Sequence, residues 1–283
     1  MRRGGTHGVA PIAGKGCTME EPAEPQELER RFKRLRAFNL VTGLVLFVEA
    51  ILMLVLSNSY ALPVTTHYLG KAATPGSFPL PVTRVIGTLR LGPMVAAFLF
   101  ISAVALVLIA SPGIFEWYKR NLLHHINYAR WIEYAFSSSI MIVVIAMLAG
   151  MYDLSSLILI FFLNMMMILF GLMMELHNQT TEKTNWTAFG FGCIAGIVPW
   201  VVIALYFVSA AADPANQVPA FVYGIMISIF IFFNVFAVNM VLQYKKVGPW
   251  RDYLFGEKVY ILLSLTAKSL LAWQVFAGTL RPK

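Results

Sequence analysis

Leu265-Thr266-Ala267-Lys268-Ser269-Leu270-Leu271-Ala272-Trp273 is the stretch that decides how this chain is read. It lies inside an apolar run over about residues 256–280. Lys268 is about 12 residues into that run, ~18 Å deep if the run is helical. A run of about 25 residues is long enough to cross a hydrocarbon core ~30 Å thick. A lysine snorkels to water only from near a helix end, and Lys268 is too central for that. A charge left at such a depth costs at least ~2.5–3.5 kcal/mol, so Lys268 needs a partner or a function.

Six further apolar runs precede it, at about 38–58, 91–112, 125–148, 154–176, 188–211 and 219–244. None has the period-2 alternation of barrel strands, so the fold class is an all-α membrane bundle of seven spans. Composition agrees. The 283 residues are 58% hydrophobic and only 13% charged, against about 25% charged in soluble domains. Mean hydropathy is +0.70. The surrounding solvent is therefore membrane lipid. Residues 1–37 form a polar tail expected to be largely disordered, and 38–283 the membrane domain. Cys17 in the tail and Cys193 in an apolar run are implausible disulfide partners.

The net charge of +8 does not point to nucleic acid, because it collects at the ends of apolar runs. One set of ends carries Arg30, Arg31, Lys33, Arg34, Arg36, Lys119, Arg120, Lys183, Lys245, Lys246, Arg251 and Lys258. The other carries Lys71, Arg84, Arg90, Arg281 and Lys283. Lysine and arginine favour the cytoplasmic side, which puts the N-terminus inside and the C-terminus outside in the cell membrane. The one long connection, 58–90, is then external. Its stretches Thr65–Leu69 and Pro81–Ile86 favour β-structure and predict a short hairpin.

Glu133 is the best partner for Lys268. It is about 8 residues into the third run, ~12 Å from the cytoplasmic end, within about one turn of the depth of Lys268. A structural ion pair is one reading. The other is chemical: a desolvated amine condenses with an aldehyde, and the iminium keeps its proton only beside a carboxylate. Ser264 lies four residues before Lys268 on the same face. Trp273 and the cluster Phe230, Phe232, Phe233 and Phe236 are able to wall a flat apolar ligand, although aromatics in membrane helices often serve packing alone. Glu49 lies near mid-bilayer in the first run. It is either a proton carrier or a neutral acid bonded to a neighbouring helix. Glu175, His177 and Glu257 read as interfacial. Adjacent His124 and His125 cannot share a helix face, which argues against a metal there. No phosphate loop, zinc spacing or nucleophile elbow appears, so direct enzymatic activity has no support.

Several of these stretches together resemble the heliorhodopsin family. Arg130-Trp131-Ile132-Glu133-Tyr134 with Ser137-Ser138-Ser139 is similar to its third helix, and Phe191-Gly192-Cys193-Ile194-Ala195-Gly196-Ile197-Val198-Pro199-Trp200 to its fifth. Val218–Gly224 resembles the start of its sixth helix, and Ser264–Gln274 its seventh. The inverted orientation read from charge agrees with the family. The resemblance implies all-trans retinal as a Schiff base on Lys268, Glu133 as counterion and Ser264 beside them. It also implies Ser102, Ser138, Asn164, Phe233, Asn234 and Trp273 near the chromophore. A slow photocycle with sensory output follows from it, as does a homodimer using loop 58–90. In one respect the chain departs from the family, which often has a histidine in each of its first two helices. Here those stretches read Leu46-Phe47-Val48-Glu49 and Ser102-Ala103-Val104-Ala105-Leu106.

Three functions are weighed on these residues: a photosensory receptor, a light-driven or passive proton transporter using Glu133 and Glu49, and an enzyme or enzyme partner, of which an unknown cytoplasmic signalling partner docking on the basic loops stays open. The outer half of the third run, Ile140 to Ala149, is apolar throughout and favours the sensor. The charge asymmetry sets a first test. Of two terminal tags, the C-terminal one is expected to be cut by protease on intact cells and the N-terminal one spared. The reverse pattern overturns the orientation.

Overall fold

The computed structural model describes residues 25–71, 78–213, 215 and 218–281. Among them are eight α-helices and one two-stranded sheet. In chain order they are α1 (Pro25–Leu56), β1 (Ala61–Leu69), β2 (Pro81–Arg90), α2 (Leu91–Ala110), α3 (Pro112–Leu123), α4 (Tyr128–Leu148), α5 (Leu154–His177), α6 (Thr187–Ala212), α7 (Ala220–Tyr244) and α8 (Tyr253–Val275). All but α3 are long and apolar enough to cross a membrane. The chain is a multi-pass membrane protein, and its seven spans match the seven apolar runs.

Two features near the first run differ from expectation. α1 begins at Pro25 rather than at Phe38, so the end of the expected tail is helical. The reason is burial: Phe32 and Leu35 pack against Phe115, Tyr118 and Leu122 of α3. The ion pair Lys119–Glu29 holds the contact at its edge, and Arg31–Asp252 ties α1 to the start of α8. Residues 1–24, with Cys17, lie outside the described residues. The second difference is α3 itself, a 12-residue helix that starts with Pro112 at its first position, where a missing N–H does no harm.

Helix starts follow local chemistry. Asn127, Asp153 and Asp252 cap α4, α5 and α8, accepting from the backbone N–H of Arg130, Ser156 and Leu254 at 3.0, 2.9 and 3.0 Å. Pro199 sits inside α6, a position membrane helices tolerate when neighbours re-satisfy the backbone.

α4 is the central helix. Seventy-two per cent of its most apolar window is buried, against 22–44% for the other six spans. Its outer half, with Ile142, Val144, Ile145 and Met147, forms the main core with Phe98 of α2, Ile203 of α6 and Leu271 of α8. Whatever polar group α4 carries is therefore sealed from lipid.

The expected hairpin is present and longer than predicted. β1 and β2 pair antiparallel from Ala61↔Arg90 to Leu69↔Pro81, with a bulge at Val64/Thr65. It is tied to the bundle by Thr65 N–H donating to the Tyr152 carbonyl at 2.8 Å. Asn58 tethers the same end, donating from its backbone to Leu280 O at 2.9 Å and from its side chain to Thr279 O at 2.8 Å. Leu62 and Val64 of β1 are buried, whereas every residue of β2 is exposed.

α4 and α5 approach closely because Gly171 leaves room for the ring of Trp131. A Cβ there would stand 2.3 Å from Trp131 Cζ3. Gly171→Ala is expected to lower stability by about 1–3 kcal/mol, as overpacking does, read by thermal unfolding in detergent. Unchanged stability would mean that Trp131 moves freely and does not fix the α4–α5 spacing.

Candidate functional site

Lys268 of α8 and Glu133 of α4 meet inside the bundle. Lys268 Nζ donates to Glu133 Oε1 at 3.0 Å and to Ser264 Oγ at 2.6 Å. Only 4% and 7% of the two charged side chains is exposed. Ser264 sits one turn before Lys268, where an i,i+4 neighbour must fall. Ser102 of α2 donates its hydroxyl to the same Glu133 oxygen. The ring of Tyr134 lies 4.8 Å from the ammonium, and the Tyr134 hydroxyl donates to the Tyr260 carbonyl at 2.9 Å. A buried ion pair survives desolvation only when further hydrogen bonds satisfy its remaining donors and acceptors. Three helices supply them here.

Beside Lys268 opens a cavity of about 530 Å³, within the size range of small-molecule sites. Met141, Met167, Trp200, Phe233 and Phe236 wall it, with Trp200 and Phe233 edge to face at a centroid distance of 5.5 Å. Ser138 and Asn234 are polar points on the wall, and Ser264 and Lys268 stand at one end. An elongated apolar molecule with one electrophilic end fits this arrangement: a slot without charge along its walls, and an amine with its counter-charge where the slot stops.

Compared with known protein families, residues 35–280 match the heliorhodopsin profile. The chain belongs to the heliorhodopsin family. No curated protein matches it. The seven-span, photoreceptor-like architecture of this heliorhodopsin is thus supported by fold and by family together.

The site residues expected from sequence fall into three groups. Lys268, Glu133, Ser264 and Ser102 form one hydrogen-bonded set. Ser138, Phe233 and Asn234 line the cavity, as do Phe230 and Phe236 but not Phe232. Asn164 is one step removed: its amide donates to Ser138 and Ser139 at 2.8 and 3.1 Å and holds that wall in place. Trp273 is not on the cavity wall. It is 38% exposed and donates through Nε1 to Glu49 at 3.1 Å. Glu49 also accepts from Ser269 Oγ at 2.7 Å, so it bonds to the helix next to it, α8.

Sequence reasoning missed a second charged centre in this heliorhodopsin. Glu175 and Glu257, expected at the membrane interface, face inward near one end of the bundle, 2% and 1% exposed. Both pair with Arg130 of α4, also buried. Asn127 completes the set, its backbone N–H donating to Glu175 at 2.9 Å and its amide to Glu257 at 2.7 Å. The guanidinium carbon lies 3.9 Å from the Tyr260 ring centre and 4.6 Å from that of Trp131. Each residue alone looks like an ordinary charge at a membrane edge. The available signal was that one arginine and two carboxylates close three different runs on the same side. His177 does stay exposed.

Among the described residues, Arg130 is the one cation that pairs with both carboxylates. Arg130→Met is expected to destabilise the bundle by about 3–5 kcal/mol, the range for stripping one partner from a buried ion pair, measured by unfolding in the dark. A change below about 1 kcal/mol, the scale of a surface pair, would show that the carboxylates do not depend on it.

Proposed function

We propose that this protein is a light-sensing photoreceptor that carries all-trans retinal on Lys268 and signals rather than pumps. One observation carries the reading: the one buried lysine among the described residues, 3.0 Å from a buried carboxylate, at the end of an apolar cavity of about 530 Å³. Family membership supports it. Retinal, when bound, supplies the light-absorbing polyene and the aldehyde that condenses with the Lys268 amine, with loss of water, to a Schiff base.

The protein's own groups do the rest. Glu133 holds a positive charge on the Lys268 nitrogen, because a proton on a buried nitrogen is lost unless a negative charge lies within about 4–6 Å. Ser264 and Ser102 fix the two partners in place by hydrogen bonds. Trp200, Phe233 and Phe236 keep the neighbouring space free of water. Ser138, steadied by Asn164, offers the wall a hydroxyl whose own proton is spent on the Tyr134 carbonyl at 2.7 Å.

Lack of a polar path outward argues against the transporter reading. Beyond Glu133, α4 from Ile140 to Leu148 carries no polar side chain, and most of those residues are buried in the apolar core. Glu49 is engaged by Ser269 and Trp273 rather than by Lys268. Arginine and lysine distribution supports an internal N-terminus and an external hairpin. The exposed face of β2, with Val82, Val85, Ile86 and Leu89, is a suitable surface for a second copy in a homodimer. The basic helix ends at Lys245, Lys246 and Arg251 leave room for a cytoplasmic partner.

The reading has a spectroscopic test. Lys268→Ala is expected to fold and stay colourless with retinal; a normal visible band in that variant would sink the assignment. Glu133→Gln keeps shape but removes the counter-charge. The Schiff-base pKa is then expected to fall and the absorption to move toward the ultraviolet near neutral pH, with halide partly restoring the visible band. Glu49→Gln is expected to leave the dark spectrum nearly unchanged. A pH titration of both variants decides: loss of the band in Glu49→Gln but not in Glu133→Gln reverses the two roles.

A further inference from the structure

α1 has 32 residues, ~48 Å of helix at 1.5 Å per residue, against a hydrocarbon core ~30 Å thick. Its first turns therefore stand beyond the lipid tails. They hold five basic residues close together: Arg30, Arg31, Lys33, Arg34 and Arg36. Two of these are engaged inside the protein. Arg31 pairs with Asp252. Arg36 donates through Nε to the Ala110 carbonyl at 2.7 Å, and its guanidinium carbon lies 5.1 Å from the Phe115 ring centre. Arg30, Lys33 and Arg34 are exposed and have no hydrogen bond or ion pair among the described residues.

These three share one side of the helix. Steps of three and four residues return to the same face. From Arg30, Lys33 and Arg34 they run on to Ala37, Val41, Leu44 and Val48. Val41, Leu44 and Val48 are 58%, 52% and 55% exposed, and in a spanning helix such a face meets lipid. The opposite side, with Phe32, Leu35, Leu46 and Ala50, is buried in the protein. Glu49 does not belong to the exposed stripe, because Ser269 and Trp273 of α8 hold it. Of the carboxylates near the basic end, Glu29 is tied to Lys119 and Asp252 to Arg31. Glu27, one turn before Arg30, is the remaining one on this face among the described residues, and the basic side chains outnumber it.

We propose that this stripe binds an anionic phospholipid. Arg30, Lys33 and Arg34 hold its phosphate-bearing headgroup, and an acyl chain lies along Val41, Leu44 and Val48. Arg34 and Val41 are ~10 Å apart along the axis, so one lipid molecule reaches both. Long basic side chains rest their stems on apolar surface and keep their charge at headgroup level. Charge selects the headgroup: a zwitterionic lipid brings no net charge, whereas an anionic one gains about fivefold in affinity per basic residue. Continuity of the basic and apolar parts selects lipid over a soluble acidic partner, which has no use for the apolar part. Glu20, Glu21 and Glu24, which precede α1 in the chain, are the rival occupants, and a stripe they covered would not respond to lipid. None of this depends on the retinal reading.

Native mass spectrometry of the full chain in detergent tests the stripe, with phosphatidylglycerol and phosphatidylcholine of identical acyl chains as probes. Wild type is expected to retain phosphatidylglycerol in preference to phosphatidylcholine. Arg30→Gln, Lys33→Gln and Arg34→Gln together are expected to weaken phosphatidylglycerol binding about a hundredfold and leave phosphatidylcholine binding unchanged. Arg34→Gln alone is expected to weaken it about fivefold, and decides the matter if the triple variant fails to fold. Equal retention of the two lipids by wild type, or unchanged phosphatidylglycerol affinity in the variants, overturns the proposal. So does an equal loss when Lys245, Lys246 and Arg251 are changed to Gln, which removes the same charge from other helix ends. At equal concentration, neither glycerol phosphate nor a poly-glutamate peptide is expected to displace the lipid. Displacement by the first would make this a free-phosphate site, and by the second a protein-docking surface, and either result overturns the lipid.

Discussion

Charge inside a bilayer has to be paired, and the arrangement of this protein follows from how two such pairings are met. Lys268 is matched by Glu133, and Arg130 by Glu175 and Glu257. Both centres draw their α4 member from the same helix, three residues apart, so they sit about one turn apart along it. α4 is also the helix most completely surrounded by others. A helix carrying an arginine and a glutamate within one turn is a poor neighbour for lipid. Placing it at the centre lets α2, α5 and α8 supply the partners, and those contacts in turn fix which faces of the neighbours point inward.

The two centres do different work. The Arg130 cluster joins α4, α5 and α8 at one end of the bundle. The Lys268 pair is neutral and lies deeper, where an apolar cavity meets it from the side. The α1 extension and α3, clamped by Phe32, Leu35 and Tyr118, close this region from its outer side.

At the other end Ile142, Ile145 and Met147 of α4 lie in the main apolar core. Asn58 and Thr65 tie the hairpin to that end through Leu280 and Tyr152.

Sequence alone was enough for the seven spans, the hairpin, and the pairing of Lys268 with Glu133. These are properties of run length, β-propensity and burial depth, and each acts within one segment or along one axis. It did not disclose the α1 extension, because Phe32 and Leu35 look like isolated apolar residues until α3 is folded against them. Nor did it separate Trp273 from the cavity wall or place Trp200 on it, since which way a helix turns its aromatics depends on its neighbours. Glu175 and Glu257 read as surface charges for the same reason: depth along a helix is written in the chain, but rotation about the helix axis is not. Only packing sets that rotation, and it brought one arginine and two carboxylates from three separate helices into contact.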